Sequence, residues 1–158
     1  MNRAVAFLFV VCSLAVSPVF AAGEEKAVAV ALDALHASAA RADETAYFEL
    51  FAPDGVFFGT DASERWARDE FREWAHPHFA SGRGWKFAPR DRHIYLSPDR
   101  RMAWFDERLD NASYGECRGT GVLRLTRSGW RIEQYNLSIP IPNALASDFV
   151  ARIRAGRP

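Results

Sequence analysis

The amino-acid sequence predicts an α+β fold, with helices packed on one face of an antiparallel sheet. Apolar residues recur at helical spacing in the first half of the chain, and they alternate as in strands from Trp85 to Ile139. Helices that precede a run of neighbouring strands are typical of this class, because each element must bury an apolar face against another. The 158 residues, 49% of them hydrophobic, are enough for one domain with a buried core.

The first helix is predicted over residues 24–41. Its apolar residues follow one another at spacings of three and four, which places them on one stripe of a helix. Glu24 and Glu25 suit the positive end of the helix dipole, and Asp43 begins a break. The stripe consists of Val28, Leu32, Leu35, Ala39 and Ala42.

The next segments are short. Aromatic residues within 47–51 indicate a second helix, residues 52–55 have the composition of a turn, and residues 56–60 are typical of a strand. Residues 61–63 offer caps for a third helix, which Pro77 is expected to end or kink. The residues that fall at helical spacing there are Ala67, Phe71, Trp74, Ala75 and His78.

Four strands are predicted in the remainder of the chain. The dipeptide Ser128–Gly129 joins the last two as a hairpin, and Pro140 and Pro142 stop the sheet. A short terminal helix is expected over residues 144–153. The four strands are Trp85–Leu96, Met102–Leu109, Glu116–Thr126 and Trp130–Ile139.

Residues 1–21 have the pattern of a signal peptide. Arg3 precedes an apolar run over residues 4–16, Pro18 breaks that run, and small side chains lead to a cleavage site after Ala21. The run is shorter than the roughly 20 apolar residues that a membrane-spanning helix needs. We therefore expect cleavage, a periplasmic or secreted location, and no membrane association of the mature domain.

Charge and motifs exclude several functions. Acidic and basic residues are equal in number, 20 of each, so the chain lacks the basic excess of a nucleic-acid-binding domain. A phosphate loop, a nucleophile elbow and a paired-cysteine zinc pattern are all missing from the sequence. His76 and His78 are two residues apart, whereas metal sites on helices prefer spacings of three or four. We expect neither a metal nor a cofactor.

Three blocks of the chain resemble the SnoaL-like branch of the nuclear transport factor 2-like (NTF2-like) superfamily. They are residues 27–43, the run YFELFAPDGVF at 47–57, and the last hairpin, with 121–124, 129–132 and 135–138. The resemblance implies an NTF2-like cone over residues 24–156, in which a curved mixed or antiparallel sheet wraps around a long N-terminal helix. That superfamily includes both enzymes and non-catalytic binding modules, so the resemblance implies architecture rather than activity.

The last strand is expected to supply polar groups to the hollow of the cone. Trp130 and Ile132 share strand parity with Gln134 and Asn136, so all four are predicted to face the helices. Gln134 and Asn136 would then line a ligand pocket, since such hollows are usual ligand sites. The alternative is that both amides only hydrogen-bond neighbouring elements.

An adjacent pair of acids offers a candidate catalytic group. Asp106 and Glu107 must face opposite sides of a strand, and Glu107 shares parity with Phe105 and Leu109 on the more apolar face. Burial would raise the pKa of an inward Glu107 and make it a usable general base. Arg118 on the following strand is its expected ion-pair partner, in a pair that could equally be structural.

A second group of candidates surrounds the third helix. Asp61 lies where the first strand leads into that helix, so it is either a catalytic acid or a helix cap. Trp66, His76, Phe79 and Trp85 are predicted to form an aromatic mouth for a planar or apolar ligand. The alternative is that these four residues belong to the core and its rim.

These patterns predict an exported domain that binds a small, largely apolar or aromatic molecule in its cone. An acid–base enzyme of the isomerase, dehydratase or hydrolase type, with Glu107 or Asp61 as base, is one alternative. A dimeric interaction module is another, because the resemblance implies a homodimer formed through the outer sheet face. Arg131, Glu133 and Tyr135 are expected on that face.

Overall fold

A computed structural model describes the backbone of residues 18–156 and the side chains of residues 23–156. The signal-peptide pattern lies outside the described side chains, so cleavage stays a prediction. No described helix is both long and apolar enough to cross a membrane. The elements in chain order are α1 (Pro18–Ala40), α2 (Glu44–Glu49), β1 (Phe51–Phe58), β2 (Arg65–Ala67), α3 (Arg68–Ala80), β3 (Ala88–Leu96), β4 (Met102–Asn111), β5 (Gly115–Thr126), β6 (Gly129–Ser138), a 3₁₀ turn (Asn143–Leu145) and α4 (Ala146–Gly156).

The six strands form one curved, unclosed sheet in the order β2-β1-β6-β5-β4-β3. Neighbouring strands are antiparallel except β1 and β6, which are parallel and make the sheet mixed. The helices α1, α2 and α3 pack against its concave side. The predicted α+β class and the sheet wrapped around a long N-terminal helix are therefore confirmed.

The core lies between α1 and the concave face of the sheet. The predicted stripe of α1 is buried there, because Val28, Leu32, Leu35 and Ala39 are at most 2% exposed. An aromatic cluster fills the space between α2, β1 and α3, with ring centroids 4.0–6.4 Å apart. Its buried members are Tyr47, Phe48, Phe51, Phe57, Phe71 and Phe79.

Local predictions in the first half of the chain are wrong at residues 52–55 and in the third helix. Residues 52–55 are not a separate turn, because β1 already begins at Phe51 and absorbs them where its register with β6 shifts, between Phe51 and Val56. Gly55 is needed at this shift, since a Cβ would lie 2.8 Å from the carbonyl oxygen of Ile132. The strand therefore bends at these residues and continues.

The third helix also differs from the prediction at both ends. A short strand, β2, precedes α3, so the cap residue is Ala67 and the exposed loop residue Asp61 caps no helix. The N–H of Ala67 donates instead to the Glu70 carboxylate at 2.9 Å. Pro77 does not end α3, which runs on to Ala80 along an exposed face where water can bond the carbonyl that proline leaves unpaired.

Candidate functional site

The concave face of β4 carries a buried carboxylate, that of Glu107, which is 1% exposed. Its Oε1 accepts hydrogen bonds from Nε2 of His36 at 2.7 Å and from the hydroxyl of Tyr135 at 3.3 Å. Its Oε2 accepts a hydrogen bond from Nε of Arg92 at 2.7 Å. As strand parity predicted, Glu107 faces inward, and the adjacent Asp106 forms its contact with His93 on the exposed side.

Arg92 reaches Glu107 from β3 through a bulge. The register between β3 and β4 shifts between Arg90 and His93, so Asp91 and Arg92 together lie opposite Glu107. Asp91 adopts a φ of 48°, a left-handed conformation that such bulges use. The guanidinium of Arg92 also binds α1, because its Nη1 donates to the Asp33 carboxylate at 2.7 Å and to a backbone carbonyl at 3.2 Å.

Gly119 on β5 makes room for this cluster. It pairs with Glu107 in the strand register, so its α-carbon lies beside the buried carboxylate. A Cβ at this position would lie 2.5 Å from the Tyr135 hydroxyl and 3.1 Å from Glu107 Oε1. The missing side chain is therefore what allows Tyr135 and Glu107 to meet.

The cluster favours an ionised Glu107 and a single ring tautomer of His36. Burial by itself would raise the pKa of Glu107, but the hydrogen bond and charge of His36 and the charge of Arg92 outweigh it and hold the pKa below the usual value. Burial and the nearby Glu107 charge raise the pKa of Tyr135, which stays a neutral donor. Because an ionised carboxylate only accepts, Nε2 of His36 carries a proton, and a neutral ring in this contact has its free lone pair on Nδ1.

An aromatic pocket opens beside this cluster. It has a volume of about 500 Å³ and lies between β1, β2, α3, the loop that precedes β3 and the loop that follows β4. A second cavity of only about 20 Å³ lies deeper and is lined by His36 and Tyr135. The two share Phe57, Trp85, Phe87 and Leu137 as lining residues, so the larger pocket leads toward His36. The main aromatic walls of the larger pocket are Phe57, Trp66, Phe71, Trp74, Trp85 and Tyr114.

The structure places the predicted mouth residues in three different surroundings. Trp66 and Trp85 line the aromatic pocket, whereas Phe79 is 4% exposed and packs in the core. His76 lies on the exposed side of α3, where its Nδ1 is 2.7 Å from the Glu44 carboxylate. Asp61 is exposed and accepts hydrogen bonds from Ser63, which lower the pKa of its carboxyl. Among the described side chains, no three His, Cys, Asp or Glu residues converge as a metal site would require.

The parity prediction for the end of β6 is wrong. Val122 pairs with Gln134 and Leu123 pairs with Ile132, so β6 contains one extra residue at this point. Such a bulge exchanges the two faces of the strand beyond it. Gln134 is therefore exposed and Asn136 shares its side of the sheet, while Tyr135, predicted on the outer face, is 3% exposed in the core.

The predicted partner of Glu107 is also wrong. Arg118 pairs with Arg108 in the strand register and is exposed, whereas Glu107 is opposite Gly119 and faces the other side. The actual partners, His36 and Arg92, left weak signals in the sequence. His36 falls between Leu35 and Ala39 next to a buried helical stripe, and Arg92 shares parity with apolar residues of its strand.

A comparison with protein families identifies the fold family. The family model described as the SnoaL-like domain matches residues 28–142. The chain belongs to the SnoaL-like family. No curated protein matches it in a sequence search. The matched range contains every residue of the Glu107 cluster and of both cavities, so these features belong to the SnoaL-like domain itself.

Solved structures with the same fold come from several bacteria. A candidate dehydratase of the NTF2-like family from Streptomyces avermitilis is 18% identical, with a TM-score of 0.65 over 77% of this chain and 99% of that one. An NTF2-like protein of unknown function from Pseudomonas putida is 11% identical, with a TM-score of 0.63 over 77% and 90%. A candidate aromatic ring hydroxylase from Novosphingobium aromaticivorans is 16% identical, with a TM-score of 0.63 over 80% and 94%. At these identities the likeness shows the fold alone.

Proposed function

We propose that this SnoaL-like domain binds a small, largely apolar or aromatic molecule in its aromatic pocket. The observation that supports this is the pocket itself, whose volume of about 500 Å³ suits a compact organic ligand. Trp66 and Trp74 stack with ring centroids 5.1 Å apart and offer flat apolar surfaces. Lys86 and Asn111 add a few polar groups to the lining, which can orient a polar substituent of the ligand.

The test compares two tryptophans of matched exposure. Trp74 lines the pocket and is 47% exposed, and Trp104 lies on the outer sheet face and is 46% exposed. With 1-anilinonaphthalene-8-sulfonate as a fluorescent aromatic probe, we expect one saturable site. Trp74→Ala should weaken binding at least fivefold, and Trp104→Ala should leave it unchanged. Equal effects of both substitutions, or binding without saturation, would overturn the proposal.

A second function, proton transfer, is supported by the contact between His36 and Glu107. Glu107 holds Nε2–H of His36 at 2.7 Å, so a neutral ring can act as a general base through Nδ1 on the lining of the deeper cavity. In a dehydration, His36 would take a proton from carbon, the electron pair would form a C=C bond, and the proton would leave with hydroxide as water. Glu107 is then a positioning residue for His36. In this proposal the general base is His36, and not Glu107 as the sequence suggested.

Deuterium exchange tests this role without a known substrate. We expect the domain to accelerate exchange at the carbon next to the carbonyl of 1-indanone, followed by NMR in D₂O. His36→Gln should abolish the acceleration, and Glu107→Gln should reduce it and alter its pH profile. His93→Gln, on the exposed side of β3, is the matched control. Unchanged exchange in the His36 variant would remove the proton-transfer proposal and leave ligand binding intact.

Export and dimerisation are proposals with separate support. Residues 1–21 support export to the periplasm or the exterior, which fractionation of cells expressing the full sequence would test. The outer sheet face supports a homodimer because Tyr95 and Trp104 stack there with centroids 5.9 Å apart and are almost half exposed. Arg131 precedes the bulge of β6 and Glu133 lies in it, and both, unlike Tyr135, stay partly exposed.

A further inference from the structure

The C-terminal segment lies apart from the rest of the domain. Residues 139–156 are all exposed, and the 3₁₀ turn is the only described element with which α4 makes more than marginal contact. These exposed residues include six large apolar side chains, each of which is 40–51% exposed. An apolar surface of this kind marks an interaction site more often than chance. The six residues are Ile139, Ile141, Leu145, Phe149, Val150 and Ile153.

The apolar side chains of α4 form one stripe with charges beside it. Leu145, Phe149 and Ile153 follow at intervals of four residues, which places them on one side of the helix. Asp148 and Arg152 are also four residues apart and share one flank of that stripe. The helix is therefore amphipathic, with an acid and a base in succession along a single margin.

We propose that α4 pairs in antiparallel fashion with α4 of a second copy of this chain, around a two-fold axis near Phe149. In such a pair the same flank of each helix meets its equivalent. Arg152 then lies beside the partner's Asp148, and Asp148 lies beside the partner's Arg152. The stripe and the charges of α4 are thus complementary to themselves, which is the property that an isologous interface requires.

The size of the helix sets the expected strength of this pairing. The 11 residues of α4 span about 16 Å at roughly 1.5 Å per residue. A contact between two such helices lies at the small end of specific protein interfaces. The association should therefore depend on protein concentration. It involves none of the residues of the aromatic pocket, of the Glu107 cluster or of the outer sheet face, so it stands independently of the proposed function.

Charge reversal gives the decisive test, by sedimentation velocity of the purified chain over a hundredfold range of concentration. Phe149→Asp should abolish the association through α4 and leave at most the proposed dimer of the outer sheet face. Asp148→Arg alone and Arg152→Asp alone should each weaken dimerisation at least tenfold, because each places like charges together. The double variant Asp148→Arg/Arg152→Asp should restore it to within about threefold of the unmodified chain. All of these positions are exposed, so each variant should fold, and circular dichroism checks that it does.

Other outcomes would overturn the proposal. A double variant that stays monomeric would remove the ion pairs on which the antiparallel geometry depends. Loss of the dimer in Trp104→Asp, but not in Phe149→Asp, would assign the dimer to the outer sheet face. A monomer at all concentrations that sediments with phosphatidylglycerol vesicles, but not with phosphatidylcholine vesicles, would assign α4 to a lipid surface.

Discussion

The concave and convex faces of the sheet each hold a glutamate paired with arginine, in very different surroundings. On the concave face, Glu107 is 1% exposed and binds Arg92 and His36. On the convex face, Glu116 binds Arg90 and Arg108 on neighbouring strands, with 47% of its side chain exposed. Both carboxylates bind arginine, so the main differences between them are burial and the His36 ring that binds only Glu107.

Burial changes what each pair does for the protein. When the exposed carboxylate binds its arginines, each group gives up contacts with water, so the net gain in stability is small. Salt also screens their attraction. Water cannot replace the hydrogen bonds of the buried carboxylate, so its partners must stay in place once the chain has folded. The concave cluster is therefore rigid enough to orient His36, whereas the convex cluster has no comparable constraint. Four predictions test this difference, from the largest expected effect to the smallest.

Removal of the buried carboxylate should have the largest effect. Glu107→Ala leaves the Arg92 guanidinium in the interior with Asp33 as its remaining acid and opens a cavity beside Tyr135. We expect a loss of about 3–5 kcal/mol in the free energy of unfolding, measured by urea denaturation. The double variant Glu107→Met/Arg92→Met should recover part of the loss, because it removes both charges. A loss below about 1 kcal/mol in the single variant would mean that water reaches the site.

Added volume beside the cluster should have the next largest effect. In Gly119→Ala the new methyl group meets the Tyr135 hydroxyl, so the two must separate and the free energy of unfolding should fall by about 1–3 kcal/mol. Gly23→Ala is the control, because no atom lies within 4 Å of its Cβ and it lies within α1. It should change the free energy of unfolding by less than about 0.5 kcal/mol, because after the expected cleavage Gly23 lies in the first turn of α1 rather than in the middle of the helix. A neutral Gly119→Ala would show that Tyr135 is free to move.

The fold was predictable from the sequence, and the site was predictable only in part, for a definable reason. Periodicity identified the α1 stripe and the inward side of β4, because those elements are regular over their whole length. The bulge in β6 defeated the same reasoning for Gln134 and Asn136, since one extra residue exchanges the faces of a strand.

The partners of Glu107 were harder to predict for another reason. His36 is 71 residues away along the chain, and only the packing of α1 onto the sheet brings the two together. The sequence shows a histidine beside an apolar stripe, which is also typical of an ordinary half-buried histidine. Long-range contacts of this kind follow from the curvature of the sheet, and curvature depends on bulges and on glycines such as Gly119 that local patterns do not reveal.

Acid should weaken the buried pair within a defined range of pH. The pKa of Glu107 in the folded chain is below its ordinary value of 4.5. Its carboxylate therefore stabilises the fold fully above that value, and the contribution is lost as the pH falls through the lower folded pKa. We expect the difference in unfolding free energy between the unmodified chain and Glu107→Gln to be constant from pH 7 to 5 and to shrink below about 4.5. Other acids titrate in both proteins, so the difference isolates Glu107. A difference that grows in acid would contradict the lowered pKa.

Loss of the exposed carboxylate should have the smallest effect. Hydrogen bonds from Arg108 and Arg90 also hold the pKa of Glu116 below its usual value, but all three side chains are open to water. Glu116→Gln should therefore shift the urea midpoint too little to separate from the unmodified chain, and any shift should vanish in 0.5 M sodium chloride. The loss caused by Glu107→Gln should persist in the same salt, because ions do not reach the buried pair. If salt removed both effects equally, water and ions would reach Glu107 as they reach Glu116. Glu107 would then not be rigid enough to orient His36.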